Sequence, residues 1–501
     1  MRIYQTDQLS NMGAAESLCV YNGLDTMVTL EVLEALLPQL TPVTQPIYDF
    51  SRALQGPVLE MNMRGVLVDE ERRKETLAEC RQAISRLTGN LNRIIREGIG
   101  FDFTISPNRK YMWPSDDQLK SIFYDVMCLP EVKKRNGNGE LVRTVDHDAL
   151  EKLNEYFWAE PVVQHIVALR DLSKKVSFLQ TAVDPDGYLR TSFNIAGTTT
   201  GRFASSFSDF GTGTNLQNVE NKLRAILIAP KGKKFCNIDL EQSDARAVGA
   251  IHWQLFRDSR YLDACESSDL HTTVARDGFP ALRWTGDLKN DRDIANSKFV
   301  REWSYRDAAK RLGHGTNYQG QVDKMSRATH IPAHDVRAFQ QSYLKRYPAF
   351  PLWWEWVERQ IRDVHYITTM LGRRRYFFGH WRDPDTIRQA IAYEPQSITA
   401  DTINRGLLSV WRANIGELLL QVHDSILFQF DEAREEDVVP RAVELIQQMV
   451  TLKEGRRFTI PAAAKVGWDW SDYHPVNNPD PDALRGYHAS SRPSSRTRTP
   501  A

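Results

Sequence analysis

An excess of charge of either sign is missing from this chain: 64 Lys and Arg balance 64 Asp and Glu over 501 residues. That balance removes any bulk electrostatic case for nucleic acid, which must instead come from local clusters. The five cysteines (Cys19, Cys80, Cys128, Cys236, Cys265) are scattered with no C-x-x-C pair. This argues against a structural zinc site or a disulfide framework and suits a reducing compartment. No run approaches the roughly 18 apolar residues of a membrane span. Residues 1–18 have neither a signal-peptide core nor the acid-poor, Arg-rich character of a transit peptide. A cytoplasmic protein of about three domains, with no membrane contact, is expected.

What is present begins with two carboxylates. Asp239 ends the apolar stretch Phe235-Cys236-Asn237-Ile238, and Asp424 follows Leu418-Leu419-Leu420-Gln421-Val422-His423. An isolated Asp at a strand-to-helix junction caps a helix more often than it does chemistry, and an Asp in a turn is ordinary. His423-Asp424-Ser425 between two apolar strands, however, reads as a tight hairpin that carries an aspartate at its tip. A fold that joins the two strand ends gives the pair a shared use, holding two divalent cations for phosphoryl transfer.

A third segment runs from Arg306 to Tyr318. Arg306, Lys310, His314 and Tyr318 are spaced by four and form one slowly winding helical stripe. Cation, cation, flat ring and phenol in that order suit a nucleoside triphosphate, phosphates at one end and base at the other. A solvated basic face is the usual origin of such spacing. Gly313 and Gly315 weigh against it, because each costs about 1 kcal/mol in a helix and so implies close packing or mobility.

Elsewhere the pattern predicts a helix from Leu24 to Leu37, stopped by Pro38, and a long helix from Glu70 to Gly98. The latter has a seam of Leu77, Cys80, Ile84, Leu87, Leu91 and Ile94 that packs on another helix. A flexible tip is expected near Lys133 to Gly139. Residues 252–376 read as mainly helical. A hairpin, a helix from Glu435 to Leu452, a strand near Ala462 to Val466 and a disordered tail from Ala489 follow.

Ten motifs in order resemble family A DNA polymerases, the bacterial DNA polymerase I type and its phage relatives. They are Thr200-Gly201-Arg202, Asn215-Leu216-Gln217-Asn218, Leu223-Arg224, Asp239 to Arg246, Asp269-Leu270-His271, Arg306 to Tyr318, Arg346-Tyr347-Pro348, Gly372-Arg373-Arg374-Arg375, Gln396 with Asp401, and Gln421-Val422-His423-Asp424. The resemblance covers most of residues 45–475. It implies an α+β right-hand fold: a palm with an antiparallel sheet in two parts (191–251 and 386–485), fingers (252–385), and a thumb with connecting helices (46–190). Residues 1–45 are then the remnant of an exonuclease-like domain or an N-terminal helix, and 486–501 a disordered tail.

The resemblance also implies roles. Asp239, Asp424 and the Leu240 carbonyl would hold two Mg²⁺ ions. Lys310 and Arg306 would hold the triphosphate, with Lys310 protonating the leaving pyrophosphate. His314, Tyr318, Asp244 and Gln242 would face the incoming nucleotide. Arg202, Asn215, Gln217, Asn218, Arg224, Arg388, Gln396, Gln421 and His423 would contact primer–template DNA. The expected protein is a monomer that uses deoxynucleoside triphosphates, with room for a separate exonuclease subunit or processivity factor.

Four departures from the family pattern stand out. Asp244 replaces the glutamate that excludes ribonucleotides, His314 the aromatic beside the sugar, Ser425 the Glu after the hairpin aspartate, and Ala392 an Asn. Tyr21-Asn22-Gly23-Leu24-Asp25 matches the last exonuclease motif, but the upstream carboxylates are not in this sequence, so no proofreading is expected from this chain. The alternatives are a catalytically silent polymerase-fold module, which retention of both aspartates, Lys310 and Arg306 disfavours, and a single-subunit RNA polymerase, which the carboxylate at 244 and the hairpin pattern disfavour.

Overall fold

The computed structural model describes residues 13–101, 114–267, 269–301 and 303–487. The expected disordered tail from Ala489 lies outside them. The fold is α+β, organised around one antiparallel sheet with helices on either side.

Helix α1 (Ala14–Leu36) begins earlier than the apolar pattern predicts and stops before Pro38, as expected; none of its residues is buried. Helix α2 (Glu70–Arg93) is capped by Asp69, whose side chain accepts from the backbone N–H groups of Glu71 and Arg72, a cap worth about 1 kcal/mol. It packs lengthwise on α3 (Glu160–Leu179) and buries Cys80, Ile84 and Leu91 of the predicted seam.

The sheet comprises β1 (Lys233–Leu240), β2 (Glu417–Val422), β3 (Ser425–Asp431), β4 (Ala462–Gly467) and the short β5 (Arg485–Gly486), in the order β2-β3-β1-β4-β5. Every neighbouring pair is antiparallel. Phe235, Cys236, Ile238 and Leu240 of β1 are all essentially inaccessible, which is why that strand reads as an apolar run rather than an alternation.

The sheet shares its core with α4 (Ser243–Phe256), α8 (Pro384–Ala413) and α9 (Glu435–Ile446), whereas α5 (Leu270–Gly278), α6 (Tyr305–Asn317) and α7 (Ala349–Asp363) pack into a second core. Helix α4 leaves β1 through Glu241 and Gln242 and packs on α8, while α5 lies along α6. Gly315 of α6 is required by close approach, since a Cβ there would fall 2.8 Å from Met325 Cε.

Three expectations need correction. The helix predicted from Glu435 to Leu452 ends at Ile446, and Met449–Thr451 instead pairs with Arg457–Thr459 as a hairpin. Its Met-Val-Thr sequence is favourable for a strand, and sheet pairing overrides the helical period. The stretch from Lys133 to Gly139, expected as a tip, includes a strand, Lys133–Arg135, which pairs with Leu141–Arg143 as a hairpin. The Asn136 side chain closes it by accepting from the N–H groups of Asn138 (3.0 Å) and Glu140 (2.9 Å), a side-chain turn mimic. Tyr318 lies one residue beyond α6, as its C-cap.

Candidate active site

Strand register brings the two aspartates together. Ser425 of β3 sits opposite Asp239 of β1, and the two-residue turn His423-Asp424 places Asp424 at the end of the same ladder. The Leu240 N–H donates to the Asp424 carbonyl at 3.1 Å, and the Ser243 hydroxyl to the Asp424 carboxylate at 3.1 Å. His423 takes φ 56 to make the turn, a left-handed conformation that most side chains avoid. Sequence reasoning missed Ser243, which gives no signal until α4 is known to start beside the hairpin.

The pair is electrostatically uncompensated. Burial and the like charge of Asp424 push the Asp239 carboxyl up to about 7, and the opposing cation, Lys465, is itself paired with Asp472 at 2.6 Å. Asp239 is enclosed by protein on most sides, yet solvent reaches its side chain from the cleft. Two oxygen-donor carboxylates at adjoining strand ends fit hard divalent cations. Among the described residues no group of three or more His, Cys, Asp or Glu side chains that could hold a metal forms.

Asp239 and Asp424 lie at one side of a cleft of 310 Å³, which Lys310 and His314 of α6 line from the other. Lys310 is exposed and has no carboxylate partner among the described residues. Arg306 is held by Asp269, with Nη2 3.1 Å from Oδ1. Asp269 also caps α5 by accepting from the Thr272 N–H. His271, also on the cleft wall, was quoted in a motif but given no role. Burial and the adjacent Arg306 and Lys310 push its pKa down to about 4, so it is neutral at pH 7. The His314 and Tyr318 rings meet edge-on at 5.1 Å. Tyr318 keeps a buried hydroxyl with no hydrogen-bond partner among the described residues.

Asp244 opens α4 and faces the same cleft. Thr399 of α8 donates to its Oδ1 at 3.0 Å, and Arg202 Nη2 stands 3.8 Å away. The Gln242 side chain carries a buried oxygen without a donor among the described residues, and its backbone takes φ 53. The Arg202 loop is seated by Gly201, whose φ is +84 and whose Cβ would fall 2.6 Å from Arg373 Nε. Arg373 in turn forms a two-point pair with the fully buried Asp401, at 2.7 and 3.1 Å.

The residues expected on the DNA surface divide. Gln421 is 1% exposed; its amide donates to the His423 carbonyl at 2.7 Å. Gln217 donates to the Gln421 carbonyl at 3.0 Å. These two side chains brace the hairpin from within rather than facing outward. Asn215 likewise accepts from the Gln217 N–H. Asn218 is exposed, and Arg388 and Gln396 keep part of their surface open along α8. Arg224 lies over the Trp470 ring at 4.4 Å and is near enough to Asp239 for their charges to interact. Tyr21 and Asp25 stand on the wholly unburied α1, away from any cluster of three or more potential metal-ligating side chains among the described residues.

The chain matches the model of DNA polymerase family A over residues 74–472. It is 26% identical over 447 residues to the thermostable DNA polymerase I of Thermus aquaticus, covering 84% of this chain and 48% of that protein. It is 25% identical over 492 residues to DNA polymerase I of Pseudomonas aeruginosa, covering 92% and 48%. The chain thus spans about half the length of these curated relatives. Among solved structures it resembles the POL domain of Pol1 from M. smegmatis in complex with DNA primer-template and dNTP, with a TM-score of 0.67 at 22% identity over 84% of this chain and 70% of that one. With most of its length matched and its sheet, cleft and helices arranged in the right-hand polymerase fold, the chain belongs to DNA polymerase family A.

Proposed function

We propose that this chain is a template-directed DNA polymerase that extends a primer 3′ end with deoxynucleotides, using two Mg²⁺ ions. The observation that carries the reading is the pair Asp239 and Asp424, brought to adjoining strand ends across the cleft from Lys310. Asp239, Asp424 and the Leu240 carbonyl are the groups that would hold the metals. Such ions, when bound, acidify the attacking hydroxyl and neutralise phosphate charge.

The chain's own residues do the remainder. Lys310, exposed and unpaired among the described residues, binds the triphosphate and donates a proton to the departing pyrophosphate. Arg306 exchanges part of its pairing with Asp269 for phosphate oxygens, which suit its planar fork. Neutral His271 shares the cleft wall with Lys310 and adds no competing positive charge beside it. His314 and Tyr318 supply ring surface for the base pair being formed. Asp244 meets the sugar near its 2′ position. Gln217 and Gln421 hold the His423 turn, so that His423 faces the primer end. Arg202, Asn218, Arg224, Arg388 and Gln396 steady the duplex, whose sequence is read by base pairing rather than by the protein.

The test is primer extension on a primed template with Mg²⁺. The intact chain should extend with deoxynucleotides, and Asp239→Ala and Asp424→Ala should each lose at least about a thousandfold in rate, comparable to the loss of other strong transition-state stabilisers. Duplex binding without extension by the intact chain would support a silent module instead.

A further inference from the structure

Between α7 and α8 the chain forms a hairpin, Tyr366–Thr368 with Arg374–Tyr376. Its continuation alternates inside and out, as extended chain does. Phe377 is 4% exposed and packs edge-on against Tyr393 of α8 at 6.0 Å. Tyr376 and Phe378 point the other way, 51% and 95% exposed, with rings near parallel at 16° and 6.5 Å apart. Tyr366 backs Tyr376 across the strands at 5.4 Å. Beyond them, Trp381 stacks on His380 at 6.0 Å and lies under two guanidinium groups, Arg382 at 4.6 Å and Arg362 at 5.9 Å.

A lone exposed phenylalanine is ordinary, but Tyr376 and Phe378 side by side with near-parallel rings make a contiguous exposed aromatic surface, which marks an interaction site. The loop is also held in place. Phe377 anchors it in the core, and Gly379 presses on α8 so closely that a Cβ would fall 2.1 Å from Thr386 Oγ1. The carboxylates nearby are already used: Asp383 caps α8, Asp385 pairs with Arg388, and Asp363 pairs with Arg362. Arg382 has no carboxylate partner among the described residues.

We propose that Tyr376 and Phe378 form a stacking platform for unpaired bases of a DNA strand, with Arg382, held over the part-buried Trp381, meeting its phosphates. Exposed aromatic faces interleaved with cations are the chemistry of single-strand binding, tolerant of sequence because every base has a π-face. The platform joins the polymerase cleft through α8: Arg375 donates to Gln389, next to Arg388, and Arg373 pairs with Asp401. The proposal rests on the polymerase reading for the identity of the strand, which is the unpaired template extending past the primer end.

The experiment measures binding alone, by fluorescence anisotropy of the full chain without nucleotides. Two probes share one duplex, blunt-ended or carrying a 5′ template overhang of about ten nucleotides, within the site size of single-strand binders. Phe378→Ala should weaken binding of the overhang probe about fivefold or more, in line with one lost base stack, and leave the blunt probe unchanged. Phe378→Trp should restore overhang binding. Equal affinity of Phe378→Ala and the intact chain for the overhang probe would overturn the platform, as would an equal loss on both probes. Primer extension with the same preparations separates the two readings. An intact chain that extends primers while Phe378→Ala is indifferent to the overhang rejects the platform alone. A chain that prefers the overhang through Phe378 yet extends nothing keeps the platform as a single-strand site and rejects the polymerase.

Discussion

The hydroxyl of Thr399 donates to the carboxylate of Asp244 at 3.0 Å, across the contact between α8 and α4. Thr399 is completely buried, so this bond draws a carboxylate one methylene shorter than glutamate toward the helix seam and fixes its angle to the cleft. Removing the donor should free Asp244 to swing toward Arg202. A hydrogen bond to a charged group contributes about 1.5–3 kcal/mol. Thr399→Val is therefore expected to lower the preference for deoxy- over ribonucleotides by roughly tenfold, and Thr399→Ser to keep it. The ratio of kcat/KM for the two nucleotides checks this. Equal loss on both would mean a purely structural role.

Stability should depend on pH through Asp239. Its folded pKa of about 7 lies above the ordinary carboxylate value of 3.8, so between those values the folded chain holds more proton than the unfolded one. Folding is thus favoured at the acid end of that window and loses the advantage as pH rises through about 7. Solvent reaches this side chain and screens the effect, so the sign of the slope is the test. In thermal melts with chelator, Asp239→Asn should flatten the decline between pH 5 and pH 8. Mg²⁺ should raise the melting temperature of the intact chain more at pH 8 than at pH 6, and do little for the variant.

The braced hairpin gives a third expectation. Gln421→Leu leaves the His423 carbonyl without its side-chain donor, while the Gln217 amide keeps the Gln421 backbone carbonyl, and a buried unsatisfied polar group costs about 1–3 kcal/mol. Extension should slow at least tenfold in kcat with KM for the nucleotide little altered, because the turn that presents Asp424 loosens while the α6 face is untouched. A rise in KM at constant kcat would contradict this.

Arg373→Ala should be among the most destabilising changes in the catalytic half. It leaves Asp401 charged, unpaired and wholly buried, at a cost of about 3–5 kcal/mol. Urea unfolding measures that cost. The double change Arg373→Met with Asp401→Leu should recover much of it, since the desolvation cost goes with the charges.

The cleft that joins Asp239, Asp424 and Lys310 was legible because its signals were local and strong. The apolar runs around Asp239 and Asp424 are strands buried by packing, and the spacing of four from Arg306 fixed a helix face. What escaped lay in contacts between segments remote in sequence. Thr399 and Ser243 are ordinary residues until α4 meets α8 and β3. Gln421 and Gln217 carry a polar side chain that suits either a phosphate or a buried carbonyl, and only the fold decides which. The end of α9 was missed because Met449–Thr451 finds a strand partner that no local pattern announces.

The pairing of Ser425 with Asp239 has a consequence for how this protein comes into being. During synthesis the first aspartate emerges long before the second, and it can gain its neighbour only when β3 docks on β1. That is a distant closure, of the kind that makes folding slow. A ribosome-bound chain that has not yet delivered β3 therefore cannot assemble the aspartate pair, however well its earlier helices have formed. The aspartate pair arrives late and all at once, with the docking of a single strand.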